Sequence, residues 1–125
     1  MKVDIWPADF DAQMELFDSI PSWSYSGFHE FRTFIAAEAG ITLGNMEGFT
    51  KESDALSWDK VADPIRFFLN HSDCDGELSP QECEAVAPRL RRLLENATGY
   101  DKRTGQKLVD LMDRCAERDV KLQFR

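Results

Sequence analysis

Val3 and Ile5 alternate with polar neighbours through Lys2–Trp6, and Pro7 stops the run, the pattern of a short strand. Val120, Leu122 and Phe124 repeat that alternation near the other end. The two segments either pair as a small two-stranded sheet joining the termini or fray separately. Between them the apolar period is helical. Phe10, Met14, Leu16, Phe17 and Ile20 predict a helix over 9–20 that ends at Pro21. Ser22–Gly27 predicts a loop carrying Trp23 and Tyr25, either as a binding surface or as a lid on the core. Phe28, Phe31, Phe34 and Ile35 predict the next helix, with Gly40 as its stop. Residues 41–57 read mostly as loop, and Ser57 caps a single turn.

Further along, Asp63-Pro64 pairs an N-cap with a proline at the first helical position, opening a short helix with Ile65, Phe68 and Leu69 inward. Ser79-Pro80-Gln81-Glu82 opens a longer helix striped by Val86, Leu90, Leu93, Leu94 and Ala97. Pro88 inside it removes a backbone donor and predicts a kink or break, and Gly99 ends it. A last helix over about 101–118 buries Leu108, Leu111, Met112 and Cys115, with Gly105 weakening its first turns. The expected fold is therefore mainly α, one small helical domain over 1–125 with a short two-stranded sheet.

Composition adds limits. With 125 residues, 42% hydrophobic and 30% charged, the chain can bury a real core. No apolar run reaches the ~20 residues of a membrane helix, so no membrane partner is expected. The first residues carry charge and no apolar stretch, so a signal peptide is not expected and a cytoplasmic location is. The net charge of −8 is uneven. Residues 1–88 hold five Lys and Arg against seventeen Asp and Glu, whereas residues 89–125 hold ten against six. The acidic part repels nucleic acid, and no nucleic-acid partner is expected. Arg89, Arg91 and Arg92, with Lys102, Arg103 and Lys107, form a basic cluster. It reads either as a solvated helix face or as a surface for an acidic partner, including the acidic half of a second copy in a homo-oligomer.

One segment carries specific chemistry. In His71–Glu82, Asp73, Asp75, Glu77 and Glu82 crowd carboxylates around Gly76, and Ser79 precedes Pro80. Closely spaced carboxylates repel unless a hard cation neutralises them, and glycine permits the sharp turn that wraps a chain around an ion. An oxygen-ligand loop of twelve residues uses positions 1, 3, 5, 7, 9 and 12 with glycine at 6. Counting from His71 places Asp73, Asp75, Glu77 (through its carbonyl), Ser79 and Glu82 on those positions, with Gly76 at the turn and Leu78 directed inward. The same residues also make an acidic helix start, in which Ser79 and Glu82 form a capping box and the other acids complement the helix dipole. Both readings stand on the sequence.

In this spacing, and in its two flanking helices, the chain resembles the EF-hand family over roughly residues 60–95. The resemblance implies Ca2+ held by Asp73, Asp75 and Glu82, with Glu77 and Ser79 completing the ring. Two departures weaken the site: His71 stands where the family has an acid, and no second loop is present, although EF-hands come in pairs. The expected affinity is weak, about 10⁻⁴–10⁻³ M. The stretch from Trp58 through Asn70–Ser79 to Ala87–Leu90 is also similar to small uncharacterised proteins of actinobacteria and their phages, a likeness that implies no activity.

Other chemistry is thinner. Cys74, Cys83 and Cys115 are an odd count with no second close pair for a zinc site, and are expected to be free thiols. His71 and Cys74 share an acidic loop, which suppresses a thiolate nucleophile. No phosphate loop or nucleophile elbow is present. The expected function is a non-enzymatic binding or interaction protein with a weak structural Ca2+ site and a protein partner. The alternative is an acidic inhibitor, of phage origin, that presents its negative surface to a basic protein target.

Overall fold

The computed structural model describes residues 2–8, 20–50, 53–70 and 76–124. The helix expected over 9–20 lies outside them except for its last residue.

Strand β1 (Lys2–Pro7) points Val3, Ile5 and Pro7 inward, as its alternation predicts. It is flanked on both sides. Its first half pairs antiparallel with β2 (Ser22–Ser24), placing Val3 opposite Trp23. Its second half pairs with β4 (Leu122–Phe124), placing Ile5 opposite Phe124. Strand β3 (Glu77–Leu78) adds to the far side of β4, giving the order β2-β1-β4-β3. The two terminal segments therefore do pair, but through Ile5–Pro7, and the sheet has four strands where two were expected. Strands of three and two residues show no alternation of their own. Tertiary pairing creates them.

Helix α1 (Tyr25–Glu38) follows β2 without a loop. Ser24 is its N-cap, with Oγ accepting from the Gly27 amide at 3.0 Å. The expected loop at Ser22–Gly27 is thus a strand and a helix start. Trp23 belongs to the core, its ring stacked on Phe31 with centroids 4.6 Å apart. Gly40, at φ +80°, ends the helix as expected.

After single turns at Leu43–Asn45 and Trp58–Lys60, the short helix α2 (Arg66–Leu69) forms behind Asp63-Pro64. Helix α3 (Pro80–Leu93) runs unbroken past Pro88. Pro88 lies on the solvent side, and the carbonyl it cannot reach belongs to Glu84, also exposed. An acceptor on the exposed side is open to solvent, so the helix need not stop. A turn at Leu94–Asn96 leads to helix α4 (Gly99–Arg118).

Two layers of core result. Phe28, Phe31, Phe68 and Phe124 form an aromatic cluster between α1, α2 and the sheet. Helices α3 and α4 are the most extensively packed pair and bury Cys83, Val86, Leu90, Leu108, Met112 and Cys115. Trp23 Nε1 donates to Asp101 Oδ1 at 3.1 Å, and the Tyr100 hydroxyl donates to the Ser22 carbonyl, tying β2 to the start of α4.

Candidate cation loop and its surroundings

Helix α2 delivers the chain to the loop. Its Phe68 and Leu69 are fully buried. At its end, the buried Arg32 donates from Nη1 to the Leu69 carbonyl at 3.5 Å, and its guanidinium lies over the Phe28 and Phe49 rings at 4.8 and 5.0 Å. A cation lying over two aromatic rings thus meets the last carbonyl of α2. Sequence reasoning missed Arg32, because one charged residue within an apolar stripe gives no sign of which way it turns.

His71, Asp73, Asp75 and Cys74 lie outside the described residues. From Gly76 onward the course is set. The Gly76 carbonyl accepts from the Phe124 amide at 2.9 Å. Glu77 and Leu78 pair with Gln123 and Leu122 of β4. Leu78 is fully buried, as its place in the loop predicts, while the exposed Glu77 carboxylate meets Lys121 Nζ at 3.1 Å. The chain then enters α3 through a complete capping box. The Glu82 amide donates to Ser79 Oγ at 3.1 Å, and the Ser79 amide donates to Glu82 Oε1 at 2.8 Å.

Glu82 also borders a cleft of about 200 Å3, with Trp58, Asp59, Arg66, Phe67 and Asn70. Arg66 is already engaged there, donating to the Val61 carbonyl at 2.7 Å and lying 5.0 Å over the Phe67 ring. Among the described residues, no three His, Cys, Asp or Glu side chains converge. Three of the six candidate ligands fall outside those residues, so Glu77, Ser79 and Glu82 are the ones whose positions are known.

The basic cluster is partly spent within the protein. Arg89 clasps Asp63 with Nε at 2.9 and 3.1 Å and Nη2 at 2.8 Å. Arg91 pairs with Asp113 at 2.7 Å, and Lys102 donates to the Leu94 carbonyl at 2.8 Å. Arg92, Arg103 and Lys107 are exposed. The Asp63–Arg89 clasp ties the start of α2 to the middle of α3, the two helices that bracket the loop.

Partial burial of Asp63 opposes its ionisation. The Arg89 guanidinium and the Ile65 amide, which donates to Oδ1 at 3.0 Å, together outweigh that and hold the carboxyl below the ordinary aspartate value. A folded-state value lowered in this way contributes stability that is present at neutral pH and lost as pH falls below the ordinary value. Asp63→Asn is therefore expected to cost about 1–2 kcal/mol at pH 7. The gap from the parent should begin to narrow below about pH 4 and shrink further as pH falls through the lowered folded-state value. Urea unfolding at pH 7 and pH 3.5 checks this, and an equal gap at both would rule out the ionic origin.

Cys83 and Cys115 are free and fully buried, on the facing sides of α3 and α4. Cys115 Sγ donates to the Lys121 carbonyl at 3.8 Å. The neighbouring Cys115 and burial hold the Cys83 thiol well above the ordinary range. Cys83 lowers that of Cys115, against its burial.

No protein-family model matches the chain, and no curated protein or solved structure is significantly similar to it.

Proposed function

We propose that the protein is a small non-enzymatic binding protein whose 71–82 loop holds Ca2+ as a brace between helices and sheet. The observation that carries this reading is the course of the loop's second half. From Gly76, whose carbonyl is held by the Phe124 amide, the backbone runs as a short strand that buries Leu78 and enters a capped helix at Ser79. That is the path the second half of a twelve-residue cation loop needs. Strand β4 gives this strand the bracing that a second loop gives in paired EF-hands.

The capping box does not compete with this role. It uses one lone pair of Glu82 Oε1, and an ionised carboxylate offers about four acceptor sites. Glu82 can close the helix start and still ligate through both oxygens. A loop whose first position is His71 has lost one hard ligand, so the ion serves structure better than signalling.

Calcium titration of thermal stability tests the proposal. Free Ca2+ tenfold above a dissociation constant of about 10⁻⁴–10⁻³ M should add about 1.4 kcal/mol and raise the melting temperature by several degrees. Glu82→Gln keeps an acceptor for the Ser79 amide but loses the bidentate carboxylate. The variant should fold with near-parental stability and lose the calcium response. A parent indifferent to 10 mM Ca2+ (about tenfold above the weakest expected constant) would leave the loop as an acidic helix start only.

A further inference from the structure

The cleft beside Glu82 carries a surplus of negative charge. Among the described residues its walls are Trp58, Asp59, Arg66, Phe67, Asn70 and Glu82. Two carboxylates thus share the walls with one guanidinium, and that guanidinium is engaged elsewhere. Arg66 gives Nη1 to the Val61 carbonyl and lies over the Phe67 ring. Among the described residues it makes no ion pair with either acid. Within the same set, the Asp59 carboxylate and the Asn70 side chain have no partner. Glu82 gives Oε1 to the Ser79 amide, which leaves Oε2 as a further acceptor. The indole wall is held in place: Trp58 is only 4% exposed, and its Nε1 donates to the Glu47 carbonyl at 3.0 Å.

We propose that this cleft receives the arginine side chain of a basic partner protein. Volume sets the scale. A cleft of about 200 Å3 is smaller than the roughly 300–1,000 Å3 of small-molecule pockets and has room for one long side chain. Charge sets the sign. The acids outnumber the guanidinium two to one, so a cation relieves their repulsion and an anion adds to it. The aromatic walls set the shape. A guanidinium is flat and weakly hydrated, and it lies well on indole and phenyl faces, whereas an ammonium holds its water more tightly. Its donor fork matches the carboxylate of the exposed Asp59, and Glu82 Oε2 and Asn70 Oδ1 are the remaining acceptors. The cleft lies within residues 1–88, where seventeen acids stand against five Lys and Arg, and that surplus steers a basic partner toward it. The proposal shares Glu82 with the calcium reading but needs no ion.

The test titrates the full chain with N-acetyl-arginine amide, in chelator so that the outcome is separate from that of the calcium titration. Nuclear magnetic resonance follows the Trp58 indole N–H and the Asn70 side-chain amide. Both signals should shift and saturate, with a dissociation constant of roughly 1–10 mM, the scale of a single side chain. N-acetyl-citrulline amide, the neutral isostere, should move neither. Asp59→Asn should weaken binding about threefold to fivefold, the range for an exposed charge pair. Asp54→Asn removes the same charge from outside the cleft walls and should leave binding unchanged. A peptide carrying the arginine between lysines should bind about tenfold more tightly than the amide and lose that gain in about 0.5 M salt. No saturating shift, equal shifts with citrulline, or equal losses in the two variants would overturn the proposal. So would equal binding of amide and peptide, which would mark a site for free arginine and not for a protein partner.

Discussion

Phe68→Ala should destabilise the protein by about 3–5 kcal/mol, the range for truncating a buried aromatic. Phe68 is fully buried, and its ring meets those of Phe28 at 6.0 Å, Phe31 at 6.2 Å and Phe124 at 6.2 Å. It alone joins α2 to both α1 and β4 within that cluster. Helix α2 is a single turn with few internal hydrogen bonds, so its position depends on this side chain more than on helix propensity. A domain of this size has only about 5–15 kcal/mol to lose. Urea denaturation followed by tryptophan fluorescence should show a large fall in midpoint. Phe68→Leu, which keeps most of the volume, should recover a good part of it. A loss under 1 kcal/mol would mean that α2 is held by its flanks, through Arg32 and the Asp63–Arg89 clasp.

What the sequence made legible follows from how local each signal is. The stripe Phe28, Phe31, Ile35 and the stop at Gly40 specify α1 within one segment, and the helix forms there. Ser79, Pro80 and Glu82 specify the start of α3 within four residues, and both bonds of the capping box form. Strands β2 and β3 carry no such signal. Trp23 reads as a loop aromatic until Val3 is placed opposite it, and Leu78 reads only as an inward loop residue until β4 lies beside it. Pro88 misled for the opposite reason. The rule it triggers is local, but its cost depends on whether the orphaned carbonyl faces water, which only the tertiary arrangement decides. The basic cluster behaved likewise, since Asp63 and Asp113 are remote in sequence from the arginines they meet. Of the candidate site, the stretch from Ser79 to Glu82 follows from cap chemistry. The acids at 73 and 75 lie outside the described residues.

Gly105 shows a side of the sequence that propensity reads with the wrong sign. By propensity it weakens α4, and alanine there should gain about 1 kcal/mol. In the folded protein it is buried against the turn that joins α3 to α4. A Cβ at 105 would lie 2.6 Å from Leu94 Cδ2, 3.1 Å from Cδ1 and 3.4 Å from Cγ. All three contacts fall on one side chain, and Leu94 is fully buried, with no solvent to swing into. Overpacking of this kind costs about 1–3 kcal/mol, so Gly105→Ala should be destabilising despite its better propensity. Leu94→Ala alone should cost about 2–5 kcal/mol through lost contacts and the cavity left behind. Once Leu94 is truncated, the methyl at 105 has room, partly fills that cavity, and recovers the helix preference. Gly105→Ala should therefore change sign with its background, harmful in the parent and helpful by about 1 kcal/mol in Leu94→Ala. The coupling in the cycle should reach about 2–3 kcal/mol, at the upper end for residues in direct contact. Chemical denaturation of the four proteins measures it. The same sign of effect in both backgrounds would mean that Leu94 yields easily, and that Gly105 is tolerated in α4 rather than required by the close approach of the turn.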